Sequence, residues 1–146
     1  MSLLVLDTSA IVAFAAGSVD VGEPIAEVHS DGGRVVVSVV CLIEAARQVG
    51  DDMPHVLVDH PACEVAPLTE ALWAAVTAGV RILGRLDLAV SLLSATMSDG
   101  YVLTGEPEAY GHIGEDSVIP IEGKKQNPAY RSTRPSHSSL WARSVL

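Results

Sequence analysis

The sequence predicts an α/β fold, one domain holding a parallel sheet of about five strands with helices on both faces. Two observations lead there. Short, unbroken apolar runs of strand length, such as Leu3–Leu6 and Val35–Val37, recur along the chain. Between them lie longer stretches with helical spacing and capping residues, and that alternation is how parallel sheets are built. The 146 residues, 49% hydrophobic and 18% charged, are enough for one core that folds without a partner.

Taken in order, Leu3–Leu6 and Val35–Val37 are the first two strands, both continuous enough to be covered on two faces. Residues 20–31 make a short helix that ends at Asp31-Gly32-Gly33. Ser38 is placed to cap a helix through Gln48, and Gly50 stops it. Residues 52–60 carry no decisive pattern. Cys63–Pro67 is a weaker strand. Thr69 is placed to cap a helix in which Leu72, Val76, Val80 and Leu83 recur at spacings of four, four and three. A further helix runs from Asp87 to Ser98, and Asp99-Gly100 turns the chain into strands at Tyr101–Leu103 and then Val118–Ile121. The domain spans residues 1–123. Residues 124–146, rich in Pro and Ser, read as a flexible C-terminal tail.

Composition excludes several classes. No apolar run reaches the ~18 residues a membrane span needs, and Leu3–Leu6 meets Asp7 too soon for a signal peptide. Cys41 and Cys63 have neither metal-ligand nor redox spacing and read as free thiols of a reducing cytoplasm. Charge divides sharply by position. Residues 1–123 hold all 18 acidic residues against Arg34, Arg47, Arg81 and Arg85, a formal −14. Residues 124–146 hold Lys124, Lys125, Arg131, Arg134 and Arg143 with no acid, a formal +5. So acidic a body repels phosphate backbones unless cations bridge the two.

Four acids stand out. Asp7 ends the first strand, and ligands of open α/β sheets bind beyond the carboxyl ends of strands; Asp7-Thr8-Ser9 is equally good helix-capping chemistry, and both readings stand. Glu44 interrupts a helix, Val39 to Ala46, that is otherwise apolar nearly all round. Such a helix is expected to be buried, and a buried carboxylate needs a cation or hydrogen bonds. An ion pair with Arg47, three residues on, would answer that need; a bound metal is the sharper reading. Asp87 opens a helix, where an acid also suits the helix dipole. Glu106 follows the strand Tyr101–Leu103, just past Thr104-Gly105. Acids so placed are what oxygen-seeking Mg²⁺ or Mn²⁺ requires.

Three stretches together resemble a known family. Val5-Leu6-Asp7-Thr8-Ser9-Ala10 is similar to the opening motif of PIN-domain ribonucleases, the VapC-type toxins among them. Val37 to Glu44 is similar to their second motif, and Asp87 with Tyr101 to Glu106 to their third and fourth. The resemblance covers residues 2–121, and the tail has no counterpart in it. It implies a PIN-like domain, an endoribonuclease that cuts RNA with Mg²⁺ or Mn²⁺ held by Asp7, Glu44, Asp87 and Glu106. Thr8, Ser9 and Thr104 would then hydrogen-bond the ligand carboxylates. It also implies a toxin held by an antitoxin, or a homodimer with an RNA groove between its sites. The thirteen residues from Asp87 to Gly100 exceed the family's usual spacing, and Glu106 stands where aspartate is usual. A catalytically degenerate PIN-fold binding module is therefore the alternative. An aspartate-phosphorylating phosphohydrolase ranks last, because Ser9 stands where its second aspartate would be.

Overall fold

A computed structural model gives the architecture, and it describes residues 2–121. The chain alternates strands and helices: β1 (Leu3–Leu6), α1 (Thr8–Ala15), α2 (Val19–Ser30), β2 (Arg34–Ser38), α3 (Val39–Val49), α4 (Asp52–Val58) and β3 (Cys63–Ala66). It continues through a 3₁₀ turn (Glu70–Leu72), α5 (Trp73–Leu83), α6 (Leu86–Met97), β4 (Tyr101–Thr104), two further 3₁₀ turns and β5 (Val118–Pro120). All pairings in the five-stranded sheet are parallel, in the order β3-β2-β1-β4-β5. The expected α/β fold is present, and the tail expected at 124–146 lies outside the described residues.

Continuous apolar strands are required because both faces are covered. Side chains alternate across a strand, so Leu4, Leu6, Val35, Val37 and Leu103 pack with residues of α1, α2, α3 and α4. Leu3, Val5, Val36 and Val102 face the other way, against Leu88, Leu92 and Ala95 of α6. Strands β2 and β4 lie tight against the start of β1. A Cβ at Gly100 would stand 2.7 Å from the Leu3 carbonyl oxygen, and one at Gly33 would strike the main chain of Ser2.

Local signals decide where elements begin and end. Ser38 caps α3, its Oγ accepting from the Cys41 amide at 3.0 Å, and Gly50 ends it at φ 88°. Two expectations need correction, the cap at Thr69 and the burial of α3, and two boundaries are sharpened. Helix α1 follows β1 with Asp7 as its cap; its apolar run carries no period that announces it. Thr69 makes no capping hydrogen bond, and the chain takes a 3₁₀ turn before α5 starts at Trp73. Helix α6 begins at Leu86, one residue before Asp87. Helix α3 is not enclosed: Ile43 is 64% exposed, so its apolar composition does not mean burial. No single described helix is long and apolar enough to cross a membrane.

Candidate active site

Chain order creates a crevice at the carboxyl edge of the sheet. From β1 the chain moves outward to β2 and β3, then returns to lay β4 on the other side of β1. Neighbouring strands whose connections leave in opposite directions open a gap beyond their carboxyl ends, where such folds take ligands. Asp7 follows β1 and Glu106 follows β4. Helix α6 runs back against the strands, so its first turn, with Asp87, returns to the same edge.

Asp7 is buried and well bonded. Its Oδ1 accepts from the Ala10 amide at 3.0 Å and from Ser9 Oγ at 2.7 Å. Its Oδ2 accepts from Tyr110 Oη at 2.8 Å. The capping reading of this residue is the arrangement present: Asp7 follows β1 and caps α1. Ser9 extends the network: its Oγ lies 3.2 Å from Thr104 Oγ1 and accepts from the Gly105 amide at 2.8 Å. Thr104 Oγ1 in turn accepts from the Glu106 amide at 2.9 Å. Hydroxyls thus tie the ends of β1 and β4 together. Burial pushes the Asp7 carboxyl above its usual range, against the opposing hydrogen bonds from Thr104, Ser9, Tyr110 and Ala10. Among the described residues no cation pairs with it. The phenol of Tyr110 is raised too, by burial first and then by the charge of Asp7.

Glu44 and Asp87 meet at a cleft of about 410 Å³ lined also by Val40, Ile43, Arg85 and Leu86, and Glu106 joins them through Arg85. Arg85, the residue before α6, bridges Asp87 and Glu106. Its Nε and Nη2 donate to Asp87 at 3.2 and 3.0 Å, and its Nη1 donates to both Glu106 oxygens at 3.2 Å. Asp87 is nearly buried and also accepts from the Leu88 amide at 3.0 Å. Burial raises its carboxyl, but hydrogen bonds from Arg85, Thr8 and the Leu88 amide, with the charge of Arg85, together hold it below the ordinary range. Glu44 departs from expectation. Its side chain is 37% exposed, and it binds Arg47 through two hydrogen bonds of 2.5 and 3.1 Å. Arg47 is also what lowers its pKa. The ion pair is the arrangement present, because α3 turns this face to the cleft and not into the core.

For a divalent cation the chemistry of the site fits better than its spacing. Every candidate is a carboxylate, the hard oxygen donor that Mg²⁺ and Mn²⁺ take. Asp7 is an acid buried without a counter-charge. Thr8 is buried beside the Asp87 carboxyl and helps to hold it low. As arranged, though, no three Asp, Glu, His or Cys side chains among the described residues stand around one point where an ion could sit.

Two residues of the site, Tyr110 and Arg85, are not legible as site residues in the sequence. Tyr110 falls in a Gly- and Pro-containing stretch without period, and its contact with Asp7 spans 103 positions. Arg85 carried one usable signal: it is one of only four arginines in an acidic body, two residues from a candidate acid.

Neither a protein-family model nor a curated protein matches the chain. A solved structure does. The fold is similar to a chain of a toxin–antitoxin complex from Klebsiella pneumoniae, with a TM-score of 0.58 at 11% identity. The match covers 82% of this chain and 96% of that one. At so low an identity it is the backbone architecture that the two share.

Proposed function

We propose that this protein is a PIN-like, metal-dependent endoribonuclease acting in the cytoplasm as the toxin of a toxin–antitoxin pair. One observation carries the reading. Acids far apart in sequence, at positions 7, 44, 87 and 106, follow strands or open helices on the sheet: Glu44 and Asp87 line one cleft, Glu106 joins Asp87 through Arg85, and Asp7 is buried just after β1. The complex to which the neighbouring fold belongs supports the toxin assignment. Asp7, Glu44, Asp87 and Glu106 would hold Mg²⁺ or Mn²⁺, which when bound supplies an activated water and neutralises charge on the scissile phosphate. Ser9 and Tyr110 fix the direction of the Asp7 carboxylate, and Thr104 holds the chain that carries Glu106. The −14 body needs positive charge to approach RNA. Bound metal, the +5 segment at 124–146 or a basic antitoxin would provide it, and Trp73, 70% exposed, offers apolar surface to a partner chain.

Incubation of the full chain with a structured RNA and Mn²⁺ tests the proposal. Cleavage should appear with Mn²⁺, vanish with chelator, and fall at least about a hundredfold in Glu44→Gln, since even groups that only support metal ligands change activity by 10–100-fold. A binding module without catalysis is the second reading, favoured by the arginine pairs that occupy three of the four acids. Cleavage unaffected by Glu44→Gln, or none at any Mn²⁺ concentration, would select it.

A further inference from the structure

The outer face of α3 is apolar and uncovered. Ile43 lines the cleft described above, together with Val40 and Leu86. It also lines a second, neighbouring hollow of about 230 Å³ between α3 and α4, where Leu42, Ala46, Pro54 and Val58 join it. The two hollows therefore make one trough with Ile43 at its middle. Ile43 is 64% exposed and Leu86 46%, and contiguous apolar surface of this kind marks a place where something docks. Acids stand along the trough as well. Glu44 and Asp87 line its first part and Asp51 its second. Arg47 and Arg85 pair with the first two, whereas Asp51 and its neighbour Asp52 form no ion pair among the described residues.

The chain itself carries a segment of matching chemistry. Residues 124–146 hold Lys124, Lys125, Arg131, Arg134 and Arg143 with no acid, and they end in Leu140-Trp141-Ala142-Arg143-Ser144-Val145-Leu146. They also start from the right place. The Ile121 amide donates to the Thr104 carbonyl at 2.8 Å, so β5 delivers the chain at the carboxyl edge beside β4. Glu106, two residues past Thr104, pairs with Arg85 of the cleft. At ~3.3 Å per extended residue, the stretch from 122 to Trp141 reaches about 65 Å, against a radius of gyration of about 14 Å for a domain of this size. Length is no obstacle. Nucleic acid would bring phosphate to the carboxylates, and the body of a second copy would bring another −14.

We propose that residues 124–146 dock along this trough on their own chain, Trp141 and its apolar neighbours over Ile43 and the basic residues facing the acids. The inference stands apart from the ribonuclease reading. It makes the cleft one that the protein covers with its own C-terminal segment.

The full chain carrying Trp73→Phe tests this, because Trp141 is then its one tryptophan. Its emission should lie to the blue of the same chain in urea, and acrylamide should quench it severalfold less. Adding Ile43→Asp, at a position exposed enough to spare the fold, should restore quenching to the urea level with unchanged far-ultraviolet circular dichroism. Quenching at the urea level before that change overturns the inference, and so does protection that survives Ile43→Asp. Protection that disappears on dilution, with dimers in sedimentation, overturns it in favour of docking on a second copy. Should Ile43→Asp unfold the body, Arg143→Glu decides, since it lies outside residues 1–123: reduced protection supports docking and unchanged protection overturns it.

Discussion

Burial governs the behaviour of Asp7. Its carboxyl is enclosed, receives hydrogen bonds from uncharged donors only, and so titrates above the 3.8 of an unperturbed aspartate. The unfolded chain ionises more readily than the native one, and Asp7 therefore withdraws stability as pH rises from 3.8 through its native value. Asp87 has the opposite sign. Its native pKa is lowered, so its contribution is present above 3.8 and is lost as pH falls through the native value. Substituting Asp7→Asn keeps a good capping residue and removes the buried charge. The metal-free variant should melt higher than wild type at pH 7 by several degrees, the ~2–8 °C that 1 kcal/mol is worth in small domains. That gain should shrink as pH falls through the raised native value, below which the wild-type carboxyl is neutral as well. Melting curves across this range measure it, and a pH-independent gain would show that charge is not the cause.

The contact between α5 and α6 decides how Asp87 is presented. A Cβ at Gly79 would lie 3.0 Å from the Ala89 Cβ, so the two helices cross with almost no side chain between them. Ala89 faces that crossing; Asp87, two residues earlier, lies on the cleft. Gly79→Leu should force the helices apart and cost roughly 1–3 kcal/mol, as overpacking does in well-packed cores, measurable by urea denaturation. The strands were readable in the sequence because burial on both faces leaves an unbroken apolar run; β1 spans the residues its run predicts. Helix α3 was readable from Ser38 and Gly50, which act through local geometry. What escaped reading depends on distant neighbours. The burial expected of Glu44 failed because apolar content reports how much surface favours cover, not whether another element supplies it. Asp7, Asp87 and Glu106 were placed at the sheet edge by topology that strand–helix alternation already implies. The bridging of the latter two by Arg85 depends on a turn of two residues that no periodicity reveals.

Across the whole molecule the acidic body and the basic segment at 124–146 oppose each other in charge. Counterion release makes the salt slope of RNA binding count phosphate contacts, at about 0.7 per contact on a single strand. Deleting residues 124–146 should leave affinity and slope nearly unchanged if phosphates meet bound metal and a second chain. A slope shallower by two or more units would assign the contacts to the tail, and filter binding at a series of salt concentrations measures it. One further property comes from the hydroxyl network that joins β1 to β4. Ser9 and Thr104 are 95 positions apart, and Tyr110 and Asp7 are 103 apart. Synthesis runs from the first residue onward, and contacts of such long range form late. A chain still leaving the ribosome has made Asp7 but has neither the strand nor the tyrosine that fix it. The surroundings of Asp7 therefore do not exist until residues 101–110 have been made, so under the function proposed above a chain still in synthesis would not yet cut RNA.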